Sequence, residues 1–200
     1  MNAPTLFVAG LGNLPYPFTR HSVGQLVIDA LAHRLGIRMA SNRGGLSGQG
    51  SVLIGDTQVK LVLYKSSTRL SSSRRRVICA EPCPESFMNI SGPSIVKAYR
   101  DSVNMPSKMV VLTDSLSHRV ESVSVKLGGS ANGHNGIKSI IAALGGEQGF
   151  YRFRLGIGRD DSDAADYVMR QLSSHERRFW GEEGLDLVLR EIEKVVLKAG

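Results

Sequence analysis

Apolar residues in this chain fall into short unbroken runs and alternating stretches, separated by glycine turns and by segments of helical period. Leu6-Phe7-Val8-Ala9 is a continuous apolar run that stops at Gly10 and Gly12, the pattern of a strand buried on both faces. Val23, Leu26, Val27, Ala30 and Leu31 then recur on one face, predicting a helix over 23–35 with Ser22 as its cap. Two short strands follow near 47–54 and 58–64, joined tightly at Gly55-Asp56. Ser91 or Ser94 opens a helix that runs to about Asp101. Met109-Val110-Val111-Leu112 is a second fully apolar strand, ending at Asp114. Residues 120–127 alternate as a half-exposed strand does. A helix after Asn135-Gly136 turns Ile137, Ile140, Ile141 and Leu144 inward. Residues 151–157 form another strand, with Arg152 and Arg154 on one face and Phe153 and Leu155 on the other. Helices over about 163–171 and 175–198 close the chain, the last amphipathic through Leu185, Leu189, Ile192 and Val196. Strands alternating with helices predict an α/β fold, a single-domain sandwich with a mixed central β-sheet flanked by helices.

Residues 65–84 break this pattern. They are rich in Ser and Arg, carry Pro82 and Pro84, and hold no sustained period, so they read as a mobile surface insertion. The remainder suits one domain over residues 1–200, long enough to bury a real core.

Composition adds exclusions. No apolar run approaches the ~20 residues that span a bilayer, and the first residues carry neither a basic leader nor an Arg-rich amphipathic one, so no targeting peptide is readable. Cys79 and Cys83 form one C-x3-C pair without a second, which argues against a disulfide framework and a structural zinc site. The net charge of +7 invites a nucleic-acid partner, yet five of those charges (Lys65, Arg69, Arg74, Arg75 and Arg76) lie within 65–76. Nucleic-acid binding therefore has to be argued from particular residues.

Candidate chemistry gathers near glycine turns. His21 follows the first strand's turn, at the strand end where α/β folds collect ligands. A neutral imidazole there can take a proton from water. Asp114 ends the second apolar strand and can reach the same sheet edge, where a carboxylate would fix the tautomer and favour the imidazolium. Asn13, Asn89 and Asn135 each offer a carbonyl acceptor and an NH2 donor, suited to holding a peptide group or a developing oxyanion. Lys126 and Arg154 flank the glycine-rich stretch 128–136 and could together grip one phosphate. Other motifs are incomplete. Gly10-x-Gly12 lacks the third glycine of a dinucleotide fingerprint, the 128–136 stretch lacks Gly-Lys-Ser/Thr, no serine sits in Gly-x-Ser-x-Gly, and His118 and His134 lack metal-ligand spacing.

Together these pieces resemble the bacterial-type peptidyl-tRNA hydrolases. The resemblance is carried by Gly10-Leu-Gly-Asn13 with Thr19-Arg-His-Ser-Val-Gly24, by Phe87-Met-Asn-Ile-Ser-Gly92, by Lys126-Leu-Gly-Gly-Ser-Ala-x-Gly-His-Asn-Gly136, and by Arg152-Phe-Arg-Leu-Gly-Ile-Gly-Arg159, in the family's order. It covers about residues 6–64 and 85–180, and Asp166-Tyr-Val168 fits the family's late helix. The compact link from Asn13 to His21, and Ser22 after the histidine, look more like the eukaryotic members. The resemblance implies hydrolysis of the ester between peptide and tRNA by a monomer without cofactor or metal, in the cytoplasm or mitochondrion. It implies His21 as base, Asp114 as its support, and Asn13, Asn89 and Asn135 holding peptide, water or terminal ribose. It also implies Lys126 and Arg154 as the clamp on the tRNA 5′ phosphate. The chain departs from the family at Asp114-Ser115-Leu116-Ser117, where an Asp-Glu-Leu-Asp pattern is usual, at Leu14-Pro15, and in the 65–84 insertion. Those departures leave a second expectation, a catalytically weak or inactive RNA-binding relative of the family.

Overall fold

The computed structural model of the chain describes residues 3–13, 16–42, 44–66 and 90–199. Its centre is a seven-stranded mixed sheet in the order β2-β3-β4-β1-β5-β7-β6. The strands are β1 (Thr5–Gly10), β2 (Ala40–Asn42), β3 (Gly45–Ile54), β4 (Thr57–Ser66), β5 (Met109–Ser115), β6 (Val123–Leu127) and β7 (Tyr151–Gly156). The inner four, β4, β1, β5 and β7, run parallel, while β2, β3 and β6 complete the edges antiparallel.

The apolar runs are explained by where they lie. Strands β1 and β5 sit in the middle of the sheet and are covered on both faces, so every residue of each can be apolar. Leu6, Val8, Val110 and Leu112 face one way, against helices α1 (Val23–Arg34), α5 (Ser174–Gly181) and α6 (Glu183–Ala199). Phe7, Ala9, Met109 and Val111 face the other, against α2 (Ser91–Ser102) and α3 (Asn135–Ala143). A short helix, α4 (Ala164–Met169), follows β7. Burying both faces of β1 and β5 supplies the main driving force for this arrangement.

Glycine decides how closely α1 approaches. A Cβ on Gly24 would stand 2.5 Å from the Leu112 carbonyl oxygen, and one on Gly10 would stand 2.4 Å from that of Gly24. The helix therefore rests directly on the carboxyl ends of β1 and β5, which delivers the preceding residue, Ser22, and His21 to the sheet edge.

Several boundaries differ from the sequence reading. Lys65 and Ser66, assigned there to the insertion, continue β4 in register with Gly10 and Gly45; Ser66 is buried and Lys65 pairs with Asp29 at 2.6 Å. The rest of the expected insertion, and Asn89 with it, lies outside the described residues. Residues 120–122 are turn rather than strand, because Glu121 adopts a left-handed φ of 61° that ends the alternation. The helix expected over 175–198 is two, broken at Glu182. Ser22 makes no capping bond to α1; its hydroxyl is taken by Asn13. Gly55-Asp56 is the two-residue turn expected. Among the described residues no helix is long and apolar enough to cross a membrane.

Candidate active site

Parallel pairing of β1 with β5 puts Gly10 opposite Leu112, so the chain leaves both strands at one edge. From the first comes the turn that ends in a single 3-10 turn, Arg20–Ser22. From the second comes Asp114, two residues on. The His21 Nδ1 lies 3.0 Å from the Asp114 Oδ1. The same oxygen lies 3.0 Å from Nε2 of His134, the residue that precedes α3. One buried carboxylate oxygen thus meets two imidazoles, whose ring centroids are 5.4 Å apart.

Hydrogen bonding fixes what each ring can do. The Ile137 N–H donates to Nδ1 of His134 at 3.4 Å, so the proton of that ring sits on Nε2 and is donated to Asp114. His134 is therefore occupied at both nitrogens. His21 donates its Nδ1–H to the carboxylate, and among the described residues its Nε2 has no hydrogen-bond partner. Burial raises the Asp114 pKa, but the charges of His21 and His134 and their hydrogen bonds outweigh it and hold the carboxyl below the ordinary range. For His21, burial opposes the imidazolium, but the Asp114 charge and hydrogen bond win and leave its pKa above 6.5.

These groups open on a cavity of about 380 Å³ lined also by Ser115, Ser117, Asn132, Asn135 and Arg154. Its other wall is apolar, with Ala164, Ala165, Val168 and Met169 from α4 opposite Ile137. Asn135 opens α3 and reaches the cavity. Asn13 does not line it, although its side chain is fully buried close by and neither carboxamide atom has a partner among the described residues. Ser115 Oγ is 2.7 Å from Nδ1 of His118, whose pKa is lowered by burial and by Arg154.

The basic residues separate in the structure. Register places Lys126 opposite Arg152 and Ser124 opposite Arg154. Arg154 lines the cavity and donates to Ser124 Oγ at 2.8 Å. Arg152 is buried and donates to the carbonyls of Ser130 and Gly128, holding the glycine loop that leads to His134. The Lys126 ammonium packs beside Gly129, outside the cavity lining. Lys126 and Arg154 therefore stand diagonally on one face, with Arg152 directly opposite Lys126.

Sequence reasoning passed over His134 and Arg152. His134 carried one signal: it directly precedes Asn135 at a glycine-to-helix junction, the position of an N-cap. Among the described residues, His21, Asp114 and His134 are also the group of potential metal ligands whose donor atoms cluster, all within 4.8 Å. Their two N–H bonds to one oxygen already satisfy the geometry, and a metal would have to displace them.

Fold and site define an α/β protein with a carboxylate-bound imidazole at the mouth of a cavity that has one polar and one apolar wall. The chain belongs to the peptidyl-tRNA hydrolase family, which it matches over residues 7–199. It is 39% identical to a peptidyl-tRNA hydrolase of Streptomyces coelicolor over 88% of this chain and 81% of that one. It is 38% identical to the Geobacter metallireducens protein of the same name, over 86% and 79%. The solved peptidyl-tRNA hydrolase of Acinetobacter baumannii superposes with a TM-score of 0.74 at 25% identity, covering 100% of this chain and 92% of that one.

Proposed function

We propose that this protein hydrolyses the ester joining a peptide to the 3′ end of its tRNA, releasing both. The observation that carries the reading is the His21–Asp114 contact of 3.0 Å at the cavity, with His21 Nε2 unpartnered among the described residues. Water attacks the ester carbonyl while Nε2 takes its proton. The carbonyl electrons move to oxygen, and Asp114 steadies the imidazolium that forms. When the tetrahedral intermediate collapses, the ribose oxygen leaves and takes the proton back from His21. An ester is activated enough that this needs no covalent enzyme intermediate.

Carboxamides of Asn135, Asn13 and Asn89 supply neutral donors for the peptide, the water or the oxyanion. The apolar wall of α4 suits aliphatic parts of the peptide. Lys126 and Arg154 hold the 5′ phosphate of the tRNA, and this electrostatic grip needs no base to be read. The enzyme acts as a monomer without cofactor, in a compartment that translates, the cytoplasm or mitochondrion.

The test is release of the acyl group from N-blocked aminoacyl-tRNA. His21→Ala lowers turnover by about 10²–10⁴. Unchanged turnover in that variant removes His21 as the base.

A further inference from the structure

Among the described residues the His21 side chain makes one hydrogen bond, to Asp114, and its backbone lies on a single 3-10 turn, an element with little stability of its own. Two sets of contacts hold the turn. On one side, the Ser22 hydroxyl bonds the backbone N–H of Asn13 at 3.0 Å. On the other, the turn is fastened to residues 167–176, a segment far away in sequence. The Arg20 N–H donates to the Arg170 carbonyl at 3.0 Å, and the Leu172 N–H donates to that of Phe18 at 2.8 Å. Thr19 and Gln171 thereby form an isolated β-bridge.

The Arg20 side chain converges on the same segment. It donates to both Glu176 oxygens, at 3.1 and 3.2 Å, and to the Gln171 carbonyl at 3.2 Å. Its guanidinium carbon lies 4.8 Å from the centre of the Tyr167 ring. Tyr167 is itself fixed, its hydroxyl donating to the Ile157 carbonyl at 2.7 Å, just past β7. Glu176 is fixed by the α5 capping box, accepting from the Ser173 N–H at 2.7 Å. The ion pair is largely sheltered, 17% and 12% exposed, so it is neither a free surface pair nor one easily screened.

We propose that Arg20 and Glu176 are positioning residues for His21. Their ion pair, in which Nη2 of Arg20 meets both Glu176 oxygens while Nη1 holds the Gln171 carbonyl and the guanidinium stacks on Tyr167, sets the distance and angle at which the turn presents His21 to Asp114 and to the cavity. Neither residue lines the cavity, so neither is a catalytic residue. Lysine, with a single nitrogen, cannot hold Glu176 and the Gln171 carbonyl in this planar geometry or reproduce the stacking. The inference rests on His21 being the base.

The test compares Arg20→Ala, Arg20→Lys and Glu176→Gln with the parent enzyme and with His21→Ala, on N-blocked aminoacyl-tRNA. Glu176→Gln keeps the shape of the capping residue and is the variant that best preserves folding. A turn displaced by about 1 Å costs on the order of a hundredfold. We therefore expect kcat to fall at least about tenfold in Arg20→Ala and Glu176→Gln, with KM within about twofold and only partial recovery in Arg20→Lys. The acid limb of the kcat profile shifts down toward the ordinary imidazole value, because the Asp114 contact loosens. A role in folding alone would move the melting temperature and leave that limb in place. Wild-type kcat in variants that melt normally overturns the proposal, as does a rise in KM at constant kcat. Should His21→Ala itself turn over normally, the reading of the base fails first; should it be inactive while Arg20→Ala is normal, only the positioning role fails.

Discussion

At the residue scale, everything turns on one carboxylate oxygen. Asp114 Oδ1 accepts from His21 and from His134, and both imidazoles depress its pKa. In return the carboxylate raises the His21 pKa above 6.5. If His21 is the base and works in its neutral form, the acid limb of kcat/KM is expected above 6.5 in the parent enzyme. Asp114→Asn removes the charge and leaves burial to act alone, so the limb falls below 6.5 and kcat drops by about 10²–10⁴. A pH–rate series on both proteins measures this, and a limb that stays in place refutes the coupling. Asp114 and His21 were legible as strand-end and turn residues. His134 was not, because its role depends on a carboxylate 20 residues away that only the fold supplies.

At the scale of elements, the tight seat of α1 governs whether His21 arrives. Gly24→Ala forces a methyl to 2.5 Å from the Leu112 carbonyl oxygen, and the helix has to lift. The expected cost is about 1–3 kcal/mol, measured by urea unfolding, together with a loss of kcat because the turn that carries His21, the proposed base, moves with the helix. A fully stable, fully active variant would show that the close approach is dispensable. The α5 cap gives a milder case. Ser173→Ala breaks the capping box, for about 1 kcal/mol of stability. Helix and strand existence was readable here from period and apolar runs, whereas ends were not. Ser22 has the chemistry of a cap but bonds Asn13 instead, and β4 runs into residues whose Ser and Arg content hides a strand.

For the whole molecule, charge and pH carry the predictions. Lys126→Ala flattens the salt dependence of tRNA binding by about one unit of log–log slope, while hydrolysis of a minimal nucleotide ester is unchanged. Equal losses on both substrates would refute a phosphate role for Lys126. Asp114 has a folded pKa below its ordinary 3.8, so the stability it contributes is present above 3.8 and is lost as pH falls below it. The His21 contribution runs oppositely: it is full below 6.5 and lost as pH rises through the raised value. Urea midpoints for the parent and Asp114→Asn should therefore converge in acid, below 3.8.

The sequence by itself determined the fold class, because strands covered on both faces need unbroken apolar runs and covering helices need an apolar stripe. It also determined the family, through motifs whose glycines and polar residues are local in the chain. Tertiary structure decided what those motifs share. Parallel pairing of β1 with β5 brings His21 and Asp114 to one sheet edge, the glycine loop swings His134 onto the same oxygen, and a segment around residue 170 grips the turn that carries His21 through Arg20. The side-chain contacts among these join residues 20, 93 and 156 apart, and spacing along a chain holds no record of them.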